Sequence, residues 1–346
     1  MDIKRIIVSR TDKIGDLILS IPSFFMLKEM YPEAELIVMV RKYNYEIVKN
    51  LPYVDRIIKI DDFTRGELLE KIKYFHADVF IALYNDSFVS QLAKASKAKI
   101  KIGPLSKLNS FFTYTKGAWQ KRSKSIKNEA EYNLDLVRKL NPKLYDEKFK
   151  INTKIYLGKE NILAADTFFK EFNIKEKVLV VNPFMGGSAK NIKDEEYATL
   201  IARFLEDNPD KSVIIICHIS EEERGNKLLE MIGKGDVHLY ANGGDLLNIA
   251  AIIEKGTVYL GPSTGPTHIA GALNKRIVAI YPAKATQSTR RWGVFNNPKV
   301  MYLIPDATNP KEKYKNQYFD KYNKIMEGEL LNDIDASFKL EEGDDD

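Results

Sequence analysis

"RIIVSRTDKIGDLILSIPSFFMLKEMYPEAELIVMV", residues 5–40, decides the fold. Two short β-branched runs, 5–9 and 35–40, flank a segment in which Leu17, Ile18, Ile21, Phe24, Phe25 and Leu27 recur at helical spacing. Strand, helix and strand within this length make a βαβ unit, so the two runs should lie parallel in one sheet. Where strand becomes helix the chain carries Arg10, Asp12, Lys13 and Asp16, more charge than a helix cap needs. Asp16 sits where an N-cap is expected, and capping would explain it alone, leaving Arg10 and Lys13 without a reason. The other reading is chemical: a carboxylate in a strand-end turn is placed to take the proton of a bound hydroxyl.

The alternation continues outward. In the first half, strands are expected at 56–60 and 78–83, then a basic, aromatic stretch at 103–128 that reads as loops, then a helix near 129–140. A helix over 159–174 leads into a second series of strands at 177–182, 212–217, 237–240, 257–260 and 276–281. The organisation expected is a domain over 1–157, a linker helix at 158–175, a second domain over 176–305, and a returning helix with an acidic tail over 306–346. Ligands of such parallel sheets bind beyond the carboxyl ends of the strands, so the turns after strands should carry the chemistry.

At 346 residues the chain exceeds one ordinary core, and 44% hydrophobic with 29% charged residues is the composition of a globular protein. A net charge of +5 is too mild to argue for nucleic acid, but its distribution is uneven. Residues 87–128 hold ten Lys or Arg and no Asp or Glu, which suggests an anionic partner, while the chain closes on an acidic run. The single cysteine, Cys217, cannot form an intramolecular disulfide and reads as strand filler in a reducing cytoplasm. No run of eighteen apolar residues is present, so membrane contact is expected to be peripheral.

Three turns of the second half qualify. After the strand 257–260, Ser263, Thr264 and Gly265 lead into a helical segment with His268 one turn in; free backbone N–H groups at a helix start suit phosphate, and the bland alternative is a capped connection with a core histidine. "FMGGSAKN" presents Gly187, Ser188 and Lys190 before a helix starting near Asp194, small residues and a cation that also suit an anion. "CHISEEER" places Glu221, Glu222 and Glu223 at a helix start, where carboxylates favour the dipole; one of Glu221 and Glu222 could instead accept from ribose hydroxyls, and the sequence does not choose between them.

"KIGDLILSIPSFFMLKEMYPEAELIVMV", "GGSAKN" and above all "STGPTHIAGALNKRIVAIYP" resemble the bacterial lipopolysaccharide heptosyltransferases of glycosyltransferase family 9, over residues 3–60 and 177–293. The resemblance implies an α/β fold of GT-B architecture, two Rossmann-like domains facing across a cleft, with acceptor on the first and nucleotide sugar on the second. It implies inverting, metal-independent transfer of heptose from ADP-heptose, bound as a substrate with no cofactor, to a hydroxyl of the lipopolysaccharide or lipooligosaccharide inner core. Asp16 falls on the family's catalytic base and Lys190 on the lysine of the donor phosphates. The acidic pair near Glu222 falls on the ribose position, and Thr264, Gly265 and His268 on the family's Thr-Gly and His. Ser263 departs from the Asp common before Thr-Gly, which leaves the donor's identity open. On this reading Arg10 and Lys13 would hold an anionic acceptor such as Kdo-lipid A, or moderate the base. The run 116–127, with Lys121, Arg122 and Trp119, would grip the same acceptor or the anionic inner leaflet, its alternative being a solvated loop. Such an enzyme would work in the cytoplasm, peripheral to the inner membrane.

Other classes fit less well. No G-x-G-x-x-G follows a strand, as a dehydrogenase would need, and "MIGKGD" lacks the spacing of a P-loop. Asp-x-Asp occurs at 333–335 and within 344–346, both outside strand-end turns. Arg290, Arg291 and Trp292 follow the last expected strand and would either line the donor site or pack. A related transferase with another sugar, and a non-catalytic protein binding anionic lipid or nucleic acid through 87–128, are the competing readings.

Overall fold

A parallel sheet covered by helices on both faces leaves no side of a strand to water, which is why its strands are continuous apolar runs. The computed structural model describes residues 2–105, 108–185, 191–282, 284–304 and 324–342. In it β1 (Arg5–Ser9), β2 (Glu35–Val40), β3 (Arg56–Lys59), β4 (Val79–Ala82), β5 (Ile100–Pro104) and β6 (Lys116–Ala118) form one sheet in the order β3-β2-β1-β4-β5-β6. Every pairing is parallel, with Arg5 opposite Glu35 and Ile6 opposite Val79. A second six-stranded parallel sheet holds β7 (Val178–Val181), β8 (Ser212–His218), β9 (Val237–Asn242), β10 (Val258–Pro262), β11 (Arg276–Ile280) and β12 (Val300–Leu303) in the order β12-β11-β10-β7-β8-β9. Both sheets therefore have the doubly wound order, and each has a switch point where the chain reverses its direction of winding: β1 beside β4, and β7 beside β10.

The chain divides into two units, Met1–Tyr156 and Leu157–Asp346, each built on one sheet. The first unit's core includes Ile7, Ile37, Met39, Phe80 and Leu92, all fully buried. In the second, Phe204, Val213, Ile215, Leu260 and Val278 are joined by Met326, Leu330, Ile334 and Phe338 of the helix Lys324–Glu342. Phe338 stacks on Phe204 with ring centroids 5.8 Å apart, and Glu327 accepts from Arg203 at 2.8 Å. Each such buried side chain contributes roughly 1.5–3 kcal/mol by leaving water. The expected return through 305–322 lies outside the described residues; the helix that follows packs on the second unit's own sheet.

Three strands go beyond the sequence reading. β5 and β12 are short and interrupted by lysine or partly exposed, and β6 lies inside the stretch expected to be loops, together with the one-turn helix Leu108–Phe111. The segment after β1 also differs from expectation, forming two helices, Ile14–Ile18 and Ile21–Met30. Pro22, in the first turn of the second, has no N–H to continue the first, and Ser20 Oγ donates to Asp16 O at 2.8 Å across the break. The N-cap is Lys13, so Asp16 is not a cap but the third residue of its helix, which frees its carboxylate for another partner.

Candidate functional site

The residue that organises the end of β1 is Arg10. Its backbone N–H donates to Met39 O at 3.0 Å, continuing the ladder to β2, and its side chain is 1% exposed. Nε donates to Asp12 Oδ1 at 2.7 Å and Nη2 to Asp16 Oδ1. Nη1 donates to Leu83 O just past β4 at 3.3 Å and to Asn133 Oδ1 at 3.0 Å, and both Nη groups donate to Glu129 Oε1 at 3.3 Å. All five N–H groups thus face protein acceptors, so the structure corrects the expectation that Arg10 holds an anionic acceptor. It fixes carboxylates instead.

Glu129 and Asn133 reach Arg10 from the helix Glu129–Arg138, which starts at Asn128 with a reciprocal capping box to Glu131. Positions four apart share a helix face, so both project to the same side. Asn133 Nδ2 donates to Leu19 O at 3.2 Å and Ser20 Oγ at 3.1 Å, locking the helix against the break beside Asp16. Arg122 Nη1 also donates to Glu129 Oε1, and its Nε to Gln120 Oε1 at 2.9 Å. Two cations and three carboxylates meet here.

Burial pushes the Asp12 carboxyl up to about 7; Arg10 opposes the shift and the charge of Asp16 adds to it. Burial disfavours the Arg10 charge, yet Asp12, Asp16 and Glu129 outweigh it and hold the guanidinium firmly protonated. Asp12 O accepts from Tyr43 OH and, at 3.1 Å, from Asn44 Nδ2, which fixes the turn. Asp16 keeps a narrow face to solvent, its side chain 12% exposed. Lys13 and Lys121 are exposed, without an ion-pair partner among the described residues.

At the second sheet's switch point, Asn182 follows β7 and Thr264 follows β10. Asn182 Nδ2 donates to Thr264 Oγ1 at 3.0 Å and Thr264 Oγ1 to Pro262 O at 3.3 Å. Thr264 is the N-cap of the helix Gly265–Ala272 but makes no side-chain cap bond, so the side-chain cap of the bland alternative does not form at Thr264. Ser263 and Gly265 are half-buried beside it, and His268 is buried one turn in. Gly187, Ser188 and Lys190 lie outside the described residues.

Glu221 ends a 3₁₀ turn after β8, 3.7 Å from Arg224 Nη1, while Glu222 opens the following helix and is exposed. Burial, with Glu221 and Glu222 adding, pushes the Cys217 thiol up to about 11, as suits a packing residue. Arg224, not singled out in the sequence, grips Asp194 through two bonds of 2.6 and 2.7 Å and lies 4.4 Å over the Phe184 ring. Arg224 and Asp194, with Pro183, Met185, Asn191 and Lys193, line a cavity of about 390 Å³ whose walls flank the 186–190 segment in sequence. Trp292 is half-buried and tied to its neighbours: its Nε1 donates to Thr286 O at 2.8 Å and its O accepts from Tyr281 OH at 2.8 Å. Asp333 and Asp335 are on the helix Lys324–Glu342, away from any strand end, and among the described residues no group of three His, Cys, Asp or Glu is arranged to hold a metal.

The family model of Glycosyltransferase family 9 (heptosyltransferase) matches residues 65–323. The chain is 28% identical over 311 residues to a Haemophilus influenzae protein bearing a glycosyltransferase name, covering 85% of this chain and 87% of that one. Among solved structures, a family 9 glycosyl transferase from Veillonella parvula superposes with a TM-score of 0.85 at 16% identity over 98% of both chains. The Escherichia coli ADP-heptose lps heptosyltransferase II gives 0.77 at 16% identity over 98% of this chain and 99% of that one. An Escherichia coli heptosyltransferase solved with ADP gives 0.66 at 17% identity over 87% of this chain and 93% of that one. At such identities these likenesses establish the fold, an α/β architecture of the GT-B kind.

Proposed function

From the premise that this chain belongs to glycosyltransferase family 9 and is a glycosyltransferase, we propose that it moves a heptose from ADP-heptose to a hydroxyl of the lipopolysaccharide or lipooligosaccharide inner core. The observation that carries this reading is the Asp16 carboxylate, held by a buried arginine at the carboxyl end of β1, beside the first sheet's switch point. A carboxylate fixed by Arg10 but still open to solvent on one face is preorganised to accept a proton.

In the reaction proposed, the acceptor oxygen attacks the anomeric carbon as Asp16 takes its proton. The bond from that carbon to the diphosphate breaks on the opposite face, its electron pair leaving with ADP, and the configuration inverts. Ser263, Thr264 and Gly265 at the start of their helix, with Gly187, Ser188 and Lys190, would stabilise the charge growing on the diphosphate. His268 would support that turn from within, and Glu221 or Glu222 would receive the ribose. Lys13 and Lys121, exposed cations of the first unit, would meet the anionic groups of a Kdo-bearing acceptor. No metal enters this scheme. The place of work would be the cytoplasmic face of the bacterial inner membrane.

Ser263 favours keeping a second reading, transfer of another nucleotide-linked sugar, because a serine replaces the family's usual carboxylate next to the donor turn. Mass spectrometry of Kdo-lipid A incubated with ADP-heptose, without added metal, tests the first. A gain of one heptose that falls by about 10²-fold or more with Asp16→Asn is the expected result. Gain with a different sugar nucleotide alone supports the second reading, and a gain undiminished in the variant removes Asp16 as the base.

A further inference from the structure

The carboxylate at the end of β1 stands between two tyrosines. Tyr43 lies in the turn Lys42–Asn44 after β2, and Tyr84 is the second residue after β4. The strand order β2-β1-β4 sets them on either side of the turn that leads to Asp16. Tyr43 is anchored through its OH, which donates to Asp12 O, and the residue is still 52% exposed. Tyr84, 37% exposed, is placed by its neighbour Leu83, whose N–H donates to Ser9 O at 3.1 Å and whose O accepts from Arg10 Nη1 at 3.3 Å. Both phenols feel the acidic pair. Burial, then the charges of Asp12 and Asp16, push Tyr43 up to about 12; burial, with Asp86, Asp12 and Asp16 adding and Arg10 opposing, pushes Tyr84 up as well.

Asn85, next to Tyr84, is only 9% exposed. Its Oδ1 accepts from Tyr114 OH at 2.6 Å and from Ser90 Oγ at 2.9 Å, which fixes the amide and leaves Nδ2 without a partner among the described residues. Buried polar groups are ordinarily satisfied, so a fixed amide with a spare donor at a strand end is suited to a ligand. The two arginines at these strand ends are engaged: Arg10 with its carboxylates, and Arg41 with Thr11 O at 3.2 Å and Asp61 Oδ1 at 2.7 Å. Exposed rings and one fixed donor suit a sugar, whose C–H face packs on an aromatic while its hydroxyls take hydrogen bonds. We propose that Tyr43 and Tyr84 stack on the pyranose ring that carries the acceptor hydroxyl, with Asn85 Nδ2 donating to a neighbouring hydroxyl, so that this subsite reads the sugar's shape and not its charge. The subsite deepens the proposed function and rests on it for the role of Asp16.

Saturation-transfer NMR of the full chain with the methyl glycoside of heptose, a neutral probe, and no nucleotide reads the subsite apart from catalysis. The ring C–H protons of the glycoside should receive saturation, and high salt should leave the affinity unchanged. Tyr43→Ala with Tyr84→Ala should weaken binding by about tenfold or more, and in the transfer reaction should raise KM for the acceptor more than it lowers kcat. Tyr43→Phe with Tyr84→Phe keeps both rings and should stay within about twofold of the parent. Asn85→Asp keeps an acceptor for Tyr114 and Ser90 but removes the donor, and should weaken binding about two- to tenfold. Because both rings are exposed, the tyrosine variants should keep the parent's melting temperature, which separates lost binding from lost folding. No saturation of the glycoside by the parent, binding undiminished in the double alanine variant, phenylalanine variants as weak as the alanine ones, or loss of binding at high salt would each overturn the proposal. Ring-dependent binding without heptosyl transfer would uphold the subsite and count against the proposed function alone.

Discussion

Arg10 and Glu129 are 119 residues apart in the chain, and both terminal nitrogens of the arginine donate to the same Glu129 oxygen at 3.3 Å. Each side chain is 1% exposed. A buried pair of this kind tolerates the loss of neither partner, because the survivor keeps its desolvation cost without its counter-charge. Glu129→Ala should therefore lower stability by about 3–5 kcal/mol, with Glu129→Gln losing less because an acceptor for Arg10 remains. Urea unfolding measures both, and an unmoved midpoint for the alanine variant would show that the pair is not structural.

Asp12 gives a pH dependence. Its carboxyl is pushed up to about 7 by burial, so between the ordinary carboxylate range and that value the folded chain binds a proton that the unfolded chain has lost. Stability from this group is fully present below the ordinary value of 3.8, declines as pH rises from there to about 7, and is lost above it. Asp12→Asn, which carries no charge at any pH, should gain in melting temperature relative to the parent on going from pH 5 to pH 8. A constant difference between the two proteins across that range would refute the assignment.

The same residue should shape activity. With all five members ionised, Arg10, Arg122, Asp12, Asp16 and Glu129 carry a net charge of −1, and a charged Asp12 favours proton transfer to its neighbour Asp16. The rise of kcat/KM with pH should have a limb near 7 that Asp12→Asn flattens, whereas a parent and variant with superimposable profiles would separate Asp12 from the chemistry.

Thr264→Val keeps shape and removes the oxygen that Asn182 donates to at 3.0 Å. The lost bond should weaken ADP binding by about 0.5–1.5 kcal/mol, about two- to tenfold in Kd by calorimetry, with the first unit's stability unchanged.

Gly271 lies in the helix that begins at this turn, and a Cβ there would fall 2.3 Å from Val294 Cγ1. Gly271→Ala should cost about 1–3 kcal/mol through overpacking and shift the helix start enough to weaken ADP as well. Normal thermal stability in this variant would mean that Val294 yields without strain.

Much of this was legible from sequence where local pattern decides structure. The apolar runs of β1, β2, β4, β7, β8, β10 and β11 announced the sheets, because strands covered on both faces leave no polar alternation to misread. β6 was hidden because three residues with a lysine and a glycine form a strand only beside β5. Asp16 stands out by its position, but the sequence leaves Arg10 open between holding an acceptor and moderating the base, because Glu129 and Asn133, which bury it, are distant in sequence. No local signal connects residue 10 with residue 129. Arg224 was likewise invisible, since its partner Asp194 belongs to another helix.

The place of the helix Lys324–Glu342 bears on the order in which the chain can fold as it is synthesised. The first unit closes its core within Met1–Tyr156, whereas the second needs Met326, Leu330, Ile334 and Phe338 against a sheet begun at Val178. A nascent chain halted near residue 300 would therefore carry a finished first unit and a second one with an apolar face still uncovered, the portion that chaperones and proteases would reach first. Pulse proteolysis of such stalled chains should spare the first unit and digest the second.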